Sequence, residues 1–190
     1  MHLIKTTSLV SRRNTISAGQ AYVNTTTNAP TVRTKRWKQK KRHQIMISYV
    51  RREADDHALK LKKALVKLGA SVYVDVDEIK DGESWDQSLN HAVESCVVFV
   101  ILCTDSYTER VWTLNEARYA YDLNKHIIPV NFCDYWPPRK LGIQFSRTQF
   151  IPFLPPSVDL PEDFTPDGIK LWPDPCVKYV AKKINQQLHD

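Results

Sequence analysis

Val97-Val98-Phe99-Val100-Ile101-Leu102 is the stretch on which the reading of the fold turns. It is uninterrupted, β-branched and aromatic, and far short of the ~20 apolar residues that span a bilayer. Such a run fits a strand buried on both faces, the position a central strand takes in a parallel sheet. Working upstream, Trp85, Leu89, Ala92 and Val93 mark a helix leading into it. Downstream, Trp112 to Leu123 reads as another helix and Ile127 to Phe132 as the next strand.

The same alternation extends in both directions. Ile45-Met46-Ile47-Ser48-Tyr49 is a second short apolar run. After it, Ala54, Ala58, Leu61, Leu65 and Leu68 recur at helical spacing, with Gly69 where a C-terminal cap belongs. Ser71 to Val74 gives a strand, Asp75 to Ser84 a polar loop containing Gly82, and 137–175 a Pro-rich irregular segment with a fifth strand near Phe150. Val177, Val180, Ile184 and Leu188 close the chain as an amphipathic helix. Strands alternating with helices predict an α/β, flavodoxin-like, three-layer fold. Its five-stranded parallel sheet has the order 2-1-3-4-5, with ligands at the carboxyl ends of the strands.

Two segments are expected: a basic tail or targeting segment over 1–43 and a folded domain over 44–190. The formal charge of +6 is unevenly placed, because no Asp or Glu precedes Glu53. Ten of the 27 Lys and Arg lie before residue 44, leaving 17 against all 21 acidic residues and a charge of −4 on 44–190. The tail composition predicts disorder, and three readings of it stay open: a solvated linker, a mitochondrial presequence, or a basic nuclear or membrane-surface signal. A mildly acidic domain argues against a nucleic-acid partner. No transmembrane segment is read, so a cytoplasmic protein is expected. Cys96, Cys103, Cys133 and Cys176 form no CxxC pair and have no His at ligand spacing. Neither a metal site nor a disulfide framework is expected, and a reducing compartment fits.

Missing motifs narrow the chemistry. Five glycines, at 19, 69, 82, 142 and 168, assemble neither GxGxxG nor a P-loop, and there is no GxSxG elbow. A phospho-receiver needs an acidic pair after its first strand, where this chain has Ser48-Tyr49-Val50-Arg51-Arg52.

What is present has a family likeness. Ile47-Ser48-Tyr49, then Gly69-x-x-Val72-Tyr73-Val74-Asp75, then Ser106 with Trp112-x-x-x-Glu116 resemble the successive boxes of Toll/interleukin-1 receptor (TIR) domains over about 44–188. Asp75-Val76-x-x-Ile79-x-x-Gly82, Ile128-Pro129 and Tyr135-Trp136-Pro137 are similar to the NAD-cleaving subgroup. That subgroup includes the sterile-alpha and TIR motif-containing protein and bacterial TIR enzymes. The chain departs from it at Val50, which precedes the Arg51-Arg52 pair, and at Glu83, which follows the loop glycine.

The resemblance implies an NAD+ glycohydrolase acting in signal transduction, innate immunity or cell death. It would release nicotinamide and ADP-ribose, with a cyclised product as a further outcome, using NAD+ as substrate and no cofactor. Glu116 is the implied catalytic carboxylate, although a carboxylate in the first turns of a helix also suits the helix dipole. Tyr49, Arg51, Gly82, Trp112 and Trp136 are the implied substrate-binding residues. Trp136 would meet the cationic nicotinamide ring or simply cover the core, and Trp112 would belong to the core with a share in the pocket wall. Ser106 would cap a turn. The alternative is a non-catalytic adaptor that pairs with itself and other TIR domains through the 75–85 loop.

Overall fold

The computed structural model describes residues 43–75, 85–160 and 172–189. The tail through residue 42, the loop position Gly82 and the segment 161–171 lie outside the described residues. Strand β1 (Ile45–Ser48) is followed by helix α1 (Arg51–Lys67), β2 (Val72–Tyr73), α2 (Trp85–Ser95) and β3 (Val98–Cys103). A 3-10 turn (Tyr107–Glu109) leads to α3 (Val111–Asp122), then β4 (His126–Asn131) and a second 3-10 turn (Arg139–Leu141). The short α4 (Gly142–Phe145), β5 (Ile151–Pro152) and α5 (Asp174–Gln186) complete the order.

The sheet order is β2-β1-β3-β4-β5, with every pairing parallel. Ile45 sits opposite Val98 and Val98 opposite His126, so the long β3 is the hub, as its unbroken apolar run predicts. Alternation along the strands sorts side chains into two layers. Ile45, Ile47, Val98, Val100, Leu102, Ile128 and Val130 pack with α1 and α5. Met46, Phe99, Ile101 and Cys103 pack with α2, α3 and α4. A sheet covered on both faces is the flavodoxin-like, doubly wound arrangement expected from the pattern.

Helix ends are set by local chemistry. Gly69 takes φ +90, and the N–H groups of Gly69 and Ala70 return to Val66 O and Leu65 O to close α1. Asn124, at φ 53, closes α3 the same way, with Asn124 N–H on Tyr121 O and Lys125 N–H on Ala120 O. Lys125 Nζ then donates to the carbonyls of Glu94 (2.5 Å) and Cys96 (3.0 Å), tying the end of α2 to the end of α3. On the other layer Trp172 is fully buried, with its indole N–H on Phe153 O at 2.6 Å. His43, the first described residue, packs edge-on to Tyr73. No helix among the described residues is long and apolar enough to cross a membrane.

Candidate functional site

The carboxyl ends of β1 and β3 and the inner face of α3 converge at one carboxylate. On α3 the buried positions are Thr113, Ala117 and Ala120, at spacings of 4 and 3 that make one face. Two of the three are alanine, so the helix backbone can come close to the sheet. Glu116 lies three residues from Thr113 on that face and reaches the last residue of β1. Ser48 Oγ donates to Glu116 Oε2 at 2.5 Å. Ser48 Oγ also lies 2.7 Å from the hydroxyl of Tyr107, in the 3-10 turn after β3. Thr113 Oγ1 donates to Tyr107 O, which fastens the start of α3 to that turn.

This geometry corrects the account of Glu116 as a first-turn, dipole-stabilised carboxylate. The first turn of α3 holds no acidic residue, and Glu116 sits one turn further in. Its carboxyl group is enclosed, and the residue as a whole is half-buried and lines a cavity. Burial pushes Glu116 up to about 7; the Ser48 bond pulls it back, and the nearby Asp75 carboxylate adds to the rise. Tyr107 is held well above the ordinary phenol range, first by burial and then by the charge of Glu116.

The cavity at Glu116 measures about 260 Å³ and lies between α2 and α3. Leu89, Asn90 and Val93 line it from one helix, and Trp112, Asn115, Glu116 and Tyr119 from the other. Trp112 is therefore pocket wall and not core: half of it is exposed, because it stands one residue off the Thr113–Ala117–Ala120 face.

The other expected residues stand elsewhere. Tyr49 alternates to the opposite layer from Ser48, where it is buried and its hydroxyl donates to Asp55 Oδ1 at 2.9 Å. Burial, then the Asp75 charge, raises its pKa. Arg51 is exposed and pairs with Asp75 at 3.1 Å, the surface salt bridge that is the ordinary role for such a residue. Trp136 is stacked on Phe145 (centroids 5.8 Å apart, planes at 5°), tilted against Phe150, and donates its N–H to Thr148 O at 3.1 Å. It covers the core beside α4 and does not line the Glu116 cavity. Ser106 does not cap its turn; its hydroxyl donates to Glu53 Oε1. That bond and others to Glu53 outweigh burial and hold the carboxyl below its usual range.

Two participants were not singled out from the sequence, Ser48 and Tyr107. The signal for Ser48 was present, a polar residue closing the apolar run Ile45-Met46-Ile47. Nothing in the sequence pairs it with a tyrosine 59 residues away. Among the described residues no group of His, Cys, Asp and Glu is placed to hold a metal ion. All four cysteines are free thiols.

Residues 45–162 match the family model described as TIR domain. No curated protein sequence matches the chain. Among solved structures, the TIR domain of the Toll-related receptor TRR-2 from Hydra magnipapillata is 16% identical, with a TM-score of 0.47. The likeness covers 58% of this chain and 83% of that one. The TIR domains of the activated Roq1 resistosome, which recognises the pathogen effector XopQ, are 20% identical, with a TM-score of 0.45 over 47% of this chain and 57% of that one. A flavodoxin-like domain from Synechococcus is 20% identical, with a TM-score of 0.46 over 76% and 98%. With its family model matched from the first strand through the fifth, the chain belongs to the TIR-domain family.

Proposed function

We propose that this TIR domain hydrolyses the nicotinamide–ribose bond of NAD+. The observation that carries the reading is Glu116, whose carboxyl is anchored through one oxygen at the strand ends and which lines a cavity walled by an indole. Water and NAD+ give nicotinamide, ADP-ribose and a proton. Nicotinamide leaves as a neutral ring, so the leaving group needs no proton. Positive charge develops on the ribose as the bond lengthens, and an ionised Glu116 stabilises it electrostatically, as carboxylates do in glycosidases. Water, or the adenine ring in a cyclising variant, then attacks the anomeric carbon. Trp112 offers an aromatic face to the cationic pyridinium, an attraction of about 0.5–2 kcal/mol. Tyr49, Arg51 and Trp136 do not line this cavity, and Gly82 lies outside the described residues.

A second reading, an adaptor whose 75–85 loop and helices pair with other TIR domains, is favoured by apolar side chains left exposed on two of those helices. Ile143 is 90% exposed and Val111 68%. The decisive experiment is incubation of the purified chain with NAD+ while nicotinamide release is followed, beside Glu116→Ala. Release that persists in the variant at more than a tenth of the wild-type rate removes Glu116 from the chemistry. No release from wild type at any protein concentration leaves the adaptor.

A further inference from the structure

Ser48 has a single hydroxyl proton and two oxygen neighbours. Glu116 Oε2, when ionised, only accepts, so at 2.5 Å the Ser48 proton points to it. The contact of 2.7 Å between Ser48 Oγ and the Tyr107 hydroxyl then has one direction open, with Tyr107 donating. The chain Tyr107→Ser48→Glu116 joins the 3-10 turn, β1 and α3. Tyr107 is fully buried and Ser48 is 2% exposed, so neither hydroxyl lines the cavity; of the three residues only Glu116 does.

We propose that Tyr107 and Ser48 are positioning residues, a two-hydroxyl relay that clamps Glu116 by Oε2 and leaves Oε1 facing the substrate. This rests on the NAD+-cleavage reading for what the carboxylate then does, though not for the clamp itself. Around these hydroxyls the sheet layer is made of Met46, Phe99 and Ile101, a setting in which an unbonded hydroxyl would be costly and an apolar residue would pack readily. Both hydroxyls are instead spent on one carboxylate.

The groups around Glu116 show why it needs them. Ser48 faces it from β1, Asp75 from beyond β2 and Tyr107 from the 3-10 turn. Leu89, Asn90 and Val93 come from α2, and Trp112, Asn115 and Tyr119 from its own helix. Burial and Asp75 both favour the neutral acid, while the Ser48 bond favours the charged form. Burial and Asp75 together outweigh the Ser48 bond, so the relay limits a rise that would otherwise be larger and holds more of Glu116 in the anionic form that a ribosyl cation requires. Orientation adds to this, since a carboxylate fixed by one oxygen presents the other at a set position.

The test is a carboxyl-carbon NMR titration of Glu116 in the full chain, together with NAD+ kinetics, in wild type, Ser48→Ala, Ser48→Thr, Tyr107→Phe and the double variant Ser48→Ala/Tyr107→Phe. Ser48→Ala should raise the Glu116 midpoint by about one pH unit, the worth of one bond to a charged group. It should also lower kcat at least about tenfold, with KM changed less than about threefold. Ser48→Thr restores the hydroxyl and should restore both readouts. Tyr107→Phe keeps the ring packing and should give a smaller shift in the same direction. The double variant should be no worse than Ser48→Ala within about twofold, because Tyr107 acts through Ser48. A Glu116 midpoint unmoved in folded Ser48→Ala, or a Ser48→Thr variant that behaves like Ser48→Ala, overturns the relay. A midpoint that shifts as expected in a protein releasing no nicotinamide supports the clamp and removes the NAD+ reading, so the two can fail separately.

Discussion

At the scale of single residues, Glu116 sets activity against stability. Its carboxyl is raised from 4.5 to about 7 in the folded protein, so between those values the native state holds a proton that the unfolded chain has lost. Stability contributed by the neutral acid is fully present below about pH 4.5 and is lost as pH rises through 7. Glu116→Gln removes this titration while keeping an oxygen to accept from Ser48. Between pH 5 and pH 8 wild type is therefore expected to lose about 1–3 kcal/mol relative to Glu116→Gln in urea unfolding, while the variant cleaves no NAD+. Parallel stability profiles for the two proteins would show that the carboxyl titrates normally. The same shift predicts that kcat/KM for NAD+ rises with pH to a plateau, with its half-maximum near 7, because the ionised form is the active one. The profile of kcat should turn over at lower pH, since bound pyridinium favours the carboxylate. A kcat/KM that falls from pH 6 to 8 would mean that the protonated acid is the working form.

At the scale of elements, two of the helices that deliver chain to the sheet, α1 and α3, end in the same motif with different residues. Gly69 holds φ +90 in open space and Asn124 holds φ 53. A side chain at Gly69 would meet no neighbour, so any cost of Gly69→Ala comes from the backbone alone, about 1–2 kcal/mol for a left-handed alanine. Gly142 also has open space but takes φ −56, so Gly142→Ala should stabilise by about 0.4–1 kcal/mol. Chemical denaturation of both variants checks the pair; equal effects would contradict the assigned backbone. The sequence marked Gly69 as a cap correctly, because glycine alone takes that conformation without strain. It placed Trp112 in the core, because an aromatic at a helix start looks apolar whichever way it points. The small residues Ala117 and Ala120 decide the buried face, and their closeness to the sheet is what carries Glu116 inward.

At the scale of the whole molecule, the cavity of about 260 Å³ falls short of the roughly 300–1,000 Å³ usual for a ligand pocket, and NAD+ is a large ligand. If the 75–85 loop of a neighbouring copy completes the site, specific activity should rise with protein concentration in step with light scattering. Activity that stays flat while the protein remains monomeric would show a site complete in one chain. The sequence by itself determined the layer order and the five parallel strands, because strand and helix periodicities are local and a run such as Val98 to Leu102 can be buried in few ways, whereas Glu116 was picked out by the family resemblance. Tertiary structure alone decided which side chains meet. Alternation at the end of β1 sends Ser48 to one layer and Tyr49 to the other, and Trp136 stacks on Phe145 instead of reaching the cavity. Tyr107 finds Ser48 across 59 residues of chain. Such contacts depend on how helices seat against a sheet, which no local pattern encodes.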